Sequence, residues 1–252
     1  MRKIILCWIE ILAIMMLVVT YGIASYQRNL IWKTEVTIWS DTVNKSPAKA
    51  RPYNNLGVAY TEKGLIEKAV PEIKEALRLK PDFINAHISL GNAYMKIGLT
   101  DMAILQYMEA LRLKPDYGEV YVNLGNAYIK QCIIERAIDE YKKGISLKPG
   151  YVPTHVNLAS AYGLKGLTED TILEYKLALK LETDNPDIYY NLGLSYEQLA
   201  KGYELRTMSK EQLAESRELM VKAINEYKKT LMLNPDDLQA KEKITKLRAK
   251  GR

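Results

Sequence analysis

Residues recur in this chain at a fixed interval of 34. Gly57, Gly91, Gly125, Ala159 and Gly193 are so spaced, and so are Tyr60, Tyr94, Tyr128, Tyr162 and Tyr196. Around them five ten-residue stretches read almost alike, from YNNLGVAYTE at Tyr53 to YYNLGLSYEQ at Tyr189. A period of this length marks an array in which one supersecondary unit is copied, and it constrains the fold more than any other feature of the chain. A single copy cannot bury its apolar face, so neighbours must stack to build a core.

The first repeat is taken as Ala50 to Phe83, the second as Ile84 to Tyr117, the third as Gly118 to Tyr151 and the fourth as Val152 to Asn185; the fifth opens at Pro186. The fourth position of each holds Tyr53, His87, Tyr121, His155 or Tyr189, followed by leucine at the seventh and a small residue at the eighth. Position 20 is small again (Ala69, Ala103 and Ala137, with Thr171 the exception), and position 24 is bulky: Ile73, Tyr107, Tyr141, Tyr175. The first three repeats close on Leu-Lys-Pro, at Leu79–Pro81, Leu113–Pro115 and Leu147–Pro149. Two antiparallel helices per repeat follow from this layout. Gly64, Gly98 and Gly166 fall at the turn between them, where glycine tolerates a left-handed backbone, and the proline stops the second helix.

This pattern resembles the tetratricopeptide repeat over roughly residues 50–235, as five units. The resemblance implies an all-α solenoid, a right-handed superhelix of antiparallel helix pairs whose first helices line a concave groove. The fourth repeat departs from the pattern with Ala159, Thr171 and Thr183, its proline displaced to Pro186; a helix pair is still expected there. The fifth is stretched, its alanine arriving at Ala223 instead of position 205. The insertion, near 199–220, has a helical composition, and Ser209 with Gln212 reads as a capping box. It predicts two long helices projecting beyond the solenoid with a turn near Met208. Residues 236–252 are expected to form a charged amphipathic capping helix, from Asp237 to Lys250.

Ahead of the array, Ile4 to Ala24 form an apolar run with one charge, Glu10. As a helix it is long enough to cross about 30 Å of hydrocarbon. Residues 1–27 are therefore expected to be an uncleaved single-pass anchor, although Gly22-Ile23-Ala24 has the small-x-small form of a signal cleavage site. Arg2 and Lys3 precede the run and Arg28 and Lys33 follow it, so the charge rule for orientation is weak. The short N-terminus favours sending the repeats to the extracytoplasmic side. Residues 28–49 read as an amphipathic connecting helix between Leu30 and Asn44, with Trp32 and Trp39 seven apart on one face, ending at Ser46-Pro47. Its apolar stripe is expected to cap the first repeat.

The charges are dispersed. A net charge of +6 carries no Lys/Arg block and no recognition motif, so nucleic acid is not an expected partner. Cys7 and Cys132 are too few and too far apart for a disulfide framework or a zinc site, and both read as packing residues. His87 and His155, at the bulky fourth position, also read as packing residues. No nucleophile–base or carboxylate pair shares a plausible site, so neither an enzyme nor a cofactor is expected.

What remains is binding. Asn55, Asn123, Asn157 and Asn191 all occupy the sixth position of their repeats, where the second has Ser89. One amide per repeat suits the backbone of an extended peptide, because that backbone repeats too; the alternative is that these amides only join neighbouring helices. The row resembles the asparagine ladder in the repeats of O-GlcNAc transferase. Asn92, Asn126, Lys96 and Lys130 add polar and cationic groups on the same face and resemble part of the carboxylate clamp of chaperone-binding repeats. Ile88 and Val122 stand where another clamp lysine would be, so a full clamp is excluded. The stretch YQRNLIWKTEVTIWSDTVNKSPAKARPYNNLG, Tyr26 to Gly57, resembles the junction in membrane O-mannosyltransferase-like proteins with tetratricopeptide tails. Two functions follow as expectations. One is a membrane-anchored scaffold for peptide or protein partners. The other is an accessory or truncated relative of a membrane glycosyltransferase, presenting acceptor protein to that partner.

Overall fold

The computed structural model describes residues 16, 20–21, 34–204 and 210–250. They form twelve helices longer than one turn: α1 (Glu35–Lys45), α2 (Ala50–Glu62), α3 (Ile66–Leu79), α4 (Ile84–Lys96), α5 (Thr100–Leu113), α6 (Gly118–Lys130), α7 (Ile134–Leu147), α8 (Val152–Leu164), α9 (Thr168–Leu181), α10 (Pro186–Glu204), α11 (Lys210–Leu233) and α12 (Leu238–Lys250). The chain divides into two compact parts, residues 1–106 and 107–252.

In the first part α1 rests on α2, α2 pairs with α3, and α4 packs on both. Thr34 and Thr37 start α1 with a reciprocal capping box: the Thr34 hydroxyl accepts from the Thr37 N–H, and the Thr37 hydroxyl from the Thr34 N–H, each at 3.3 Å. Val36, Ile38, Trp39 and Val43 are half-buried, and α1 has no fully buried residue. Ile31 and Trp32 lie outside the described residues. Leu56, Ala59, Ala69, Ile73, Ala76, Leu90 and Ala93 form the core of this part. Gly57 lets α2 and α3 meet: a β-carbon there would collide with the Ile73 side chain and lie 3.0 Å from the Ala69 carbonyl oxygen.

In the second part α6 pairs with α7, α8 with α9 and α10 with α11; α8 packs on α7, α10 on α9 and α12 on α11. The close approach recurs at Gly125, whose β-carbon would lie 2.5 Å from the Tyr141 ring. The fourth repeat forms its helix pair with Ala159 fully buried. In the fifth, Ser216 of α11 donates to the Ala200 carbonyl of α10 at 3.2 Å, and Leu219 and Ala200 are buried. Met208 and Ser209, and with them the expected turn and capping box, lie outside the described residues. The last helix restarts the register: Leu238 takes position one, and Ala240, Ile244 and Leu247 bury at positions three, seven and ten. Lys243 then stands at position six and reaches back 2.9 Å to the Glu197 carboxylate.

Gly64, Gly98 and Gly166 adopt φ of 74°, 76° and 79° at the turn between the two helices of their repeats. At the same position of the third repeat the structure corrects the sequence reading. Cys132 is exposed, with φ 60°, and packs no core. Its place in the period, not its residue type, decides its conformation. The Cys132 N–H bonds the Ile129 carbonyl and the Ile133 N–H bonds the Tyr128 carbonyl, both at 2.9 Å, as at the glycine turns.

The apolar run Ile4–Ala24, expected to be a membrane anchor, lies outside the described residues apart from Met16, Thr20 and Tyr21. Among the described residues no helix is long and apolar enough to cross a membrane.

Candidate peptide-binding site

All the polar residues singled out for binding lie on first helices: Asn55 on α2, Asn92 and Lys96 on α4, Asn123, Asn126 and Lys130 on α6, Asn157 on α8, and Asn191 on α10. The position-six asparagines are half-buried, whereas Asn92, Lys96 and Lys130 are exposed, each lysine in the last turn of its helix. Asn55 accepts at 3.3 Å from the amide of Asn54. Asn54 is buried and its own carbonyl oxygen has no partner, at a position where other repeats carry Ile88, Val122 or Val156.

Two of the asparagines are brought into direct contact. The Asn157 amide nitrogen donates to the Asn126 carbonyl oxygen at 3.0 Å. The same oxygen accepts from the Tyr141 hydroxyl at 2.7 Å. Tyr141 is fully buried and burial pushes its phenol up, so the ring stays protonated and remains a donor. The next repeat repeats the arrangement, with the Tyr175 hydroxyl 3.1 Å from Ser160 Oγ. In the fifth the Tyr227 hydroxyl donates to Glu197 at 3.2 Å. The tyrosine at position 24 of the third and fourth repeats therefore does more than fill space: it fixes the polar residue at position nine. From the sequence, position 24 reads only as bulky. The signal was a pairing within repeats, since the first repeat has Ile73 at position 24 and the apolar Val58 at position nine.

Position four has a similar logic. His87 Nε2 donates to the Pro81 carbonyl, His155 Nε2 to the Pro149 carbonyl and the Tyr121 hydroxyl to the Pro115 carbonyl, each at 2.9 Å. The second ring nitrogen of each histidine faces the second helix of its repeat, His87 Nδ1 at 2.9 Å from Gln106 Oε1 and His155 Nδ1 at 2.7 Å from Glu174 Oε2. Both histidines are buried joints between a helix pair and the loop before it.

Glu197 is paired with two lysines at once. Lys201 and Lys243 contact its two oxygens at 2.8 and 2.9 Å. Burial alone would raise its pKa; the hydrogen bonds from the two lysines outweigh that and hold the carboxyl down at about 2. Among the described residues no cluster of three His, Cys, Asp or Glu side chains could hold a metal ion.

A family model described as a TPR repeat matches residues 59–98 and 167–199. One described as a tetratricopeptide repeat matches 84–117 and 118–151. Together they cover half of the chain. The chain is built of tetratricopeptide repeats. Several solved structures share the fold. YrrB, described as a TPR protein with an unusual peptide-binding site, superposes with a TM-score of 0.59 over 85% of this chain and 98% of its own, at 19% identity. MamA gives 0.59 over 75% and 94%, at 23% identity. A thermophilic TPR protein of Thermus thermophilus gives 0.56 over 79% and 99%, also at 23%. Part of this tetratricopeptide chain is also similar to protein O-mannosyl-transferase Tmtc3 of Drosophila melanogaster, 35% identical over 77 residues, 31% of this chain and 8% of that protein. The human protein TMTC3 is 27% identical over 84 residues, 33% of this chain and 9% of its own. The chain thus spans under a tenth of the length of these curated relatives.

Proposed function

We propose that this chain is a tetratricopeptide scaffold that holds an extended peptide or protein segment along its first helices, tethered to a membrane by its apolar N-terminal run. The observation that carries this reading is the recurrence of a half-buried asparagine at position six of four repeats, one of them joined to Asn126. An extended peptide presents a donor and an acceptor at every residue, so a row of amides at regular intervals suits it without demanding one side-chain sequence. YrrB, of the same fold, is described as having a peptide-binding site, which supports peptide binding as a use of this fold. The likeness to Tmtc3 supports a second reading, in which the repeats present acceptor protein to a membrane glycosyltransferase. In this reading the apolar run Ile4–Ala24 is the anchor and the repeats lie on the extracytoplasmic side.

The test is co-purification of the detergent-solubilised chain from its own cells beside a variant with Asn55, Asn123, Asn157 and Asn191 all changed to alanine. Circular dichroism establishes that the variant is folded. Loss of specific partners from a folded variant supports the amide row as a binding surface, and a glycosyltransferase among those partners selects the second reading. Retention of every partner by the variant removes the row from the argument.

A further inference from the structure

We infer that a cleft at the edge of the fourth repeat takes the guanidinium of an arginine side chain from a protein partner. This site is separate from the amide row and holds whether or not that row binds peptide. It originates in a difference of helix length. The first helices of the first four repeats, α2, α4, α6 and α8, have 13 residues each, and α10 has 19. The six additional residues, Leu199 to Glu204, carry α10 about 9 Å past the level at which the others stop. The turn of the fourth repeat faces this overhang. Gly166, Thr168 and Glu169 on one side and Gln198, Gly202 and Tyr203 on the other line a cleft of about 240 Å³. Small-molecule sites usually run from about 300 to 1,000 Å³. The cleft is below that range and has room for one long side chain.

The charges decide which side chain. Glu169 and Asp170 stand in the first turn of α9, and two carboxylates outweigh the roughly half positive charge of that helix end. The neighbouring cations are engaged elsewhere, Lys165 with Glu135 at 3.3 Å and Lys201 with Glu197 at 2.8 Å. Among the described residues no cation pairs with Glu169. An anion is therefore repelled and a cation attracted. The Thr168 hydroxyl points its hydrogen at the Gly166 carbonyl, 3.5 Å away, which leaves its oxygen as an acceptor. Gln198 adds an amide oxygen, and Tyr203 adds a ring that is half-buried and packed on the core of this part. A guanidinium uses these groups together: its plane lies on a ring, and its fork of N–H donors meets both oxygens of a carboxylate. An ammonium has neither the plane nor the fork.

The probe is N-acetyl-arginine amide, titrated into the full chain in detergent micelles with its glycines isotope-labelled for magnetic resonance. The controls are the citrulline amide, which keeps the shape and loses the charge, and the lysine amide. The Gly166 and Gly202 signals are expected to shift and saturate at about millimolar arginine probe, while Gly150, outside the cleft, stays in place. Citrulline and lysine are expected to bind at least about tenfold more weakly. Glu169 is exposed, so Glu169→Gln leaves the fold alone and is expected to weaken the arginine probe about tenfold. Tyr203→Leu keeps bulk but removes the ring and is expected to weaken it about threefold. The titration of the unmodified chain stands even if a variant folds poorly. Citrulline or lysine binding as tightly as arginine overturns the choice of a guanidinium. Unmoved signals at Gly166 and Gly202, or an arginine affinity unchanged by Glu169→Gln, overturn the site.

Discussion

Replacing Cys132 by glycine stabilises this chain. Cys132 adopts φ 60° where three other repeats have Gly64, Gly98 and Gly166 in the same left-handed region. A residue with a β-carbon loses about 1–2 kcal/mol there. Glycine relieves that strain but is freer in the unfolded chain, which returns about 0.4–1 kcal/mol to the unfolded side. The Cys132 side chain is exposed, so no packing is lost, and the two 2.9 Å backbone bonds of the turn do not involve it. The net gain is about 0.5–1 kcal/mol, a rise in Tm of about 1–4 °C for a chain of this size. Thermal melts by circular dichroism read it under reducing conditions. Because repeat arrays can unfold in stages, amide exchange in α6 and α7 should slow in parallel. Cys132→Ala supplies the control: it removes the thiol but keeps a β-carbon, and should gain nothing. Equal gains from alanine and glycine would sink the argument, since the thiol and not the backbone would then be the source.

Gly125→Ala drives a methyl to 2.5 Å from a fully buried ring and should cost at least about 3 kcal/mol in denaturant titration, whereas Gly150→Ala, with nothing within 4 Å of the new atom, should move the midpoint little. Thr154 buries a hydroxyl without a partner, so Thr154→Val should leave stability unchanged or raise it by about 1 kcal/mol in the same titration. Glu197 titrates at about 2 when folded and at about 4.3 when unfolded. Its ion pairs therefore stabilise the fold fully above about pH 4.5 and are lost as pH falls through that window toward 2. Glu197→Gln should flatten that part of the pH–stability curve, and a curve identical to the parent's would remove Glu197 as its source. Tyr141→Phe should cost about 1 kcal/mol and free the Asn126 amide to turn, read as faster exchange of its side-chain N–H signals.

What the sequence made legible was everything that repeats with the period. Glycine at the turn, proline after the second helix and small residues at the helix contact are each the sole or best residue for a backbone or steric demand, so their letters carry it. Cys132 was misread because residue type was allowed to outrank position: cysteines are commonly buried, but the fifteenth position of a repeat is a turn whatever stands there. The tyrosines at position 24 show the complementary difficulty. Their bulk was visible, yet the partner of a buried hydroxyl depends on which neighbour comes within about 3 Å, and that is fixed by packing and not by spacing. The asparagine row was visible as a row. That Asn126 and Asn157 divide donor and acceptor between them needed coordinates.

The ring-to-proline joint has a consequence for how such a chain changes length. Its donor and acceptor lie only six residues apart and straddle a repeat boundary, as with Tyr121 and Pro115. Duplication or deletion of a whole period across any of these three boundaries therefore carries a working joint with it. The second link of each histidine, 19 residues further on at Gln106 or Glu174, belongs to the same repeat and is copied along with it. Each copy can then drift between tyrosine and histidine, or between glutamine and glutamate, without a matching change in a distant repeat. Lineages of this chain are thus free to gain or shed repeats by unequal copying, with the cost of each event confined to a single boundary.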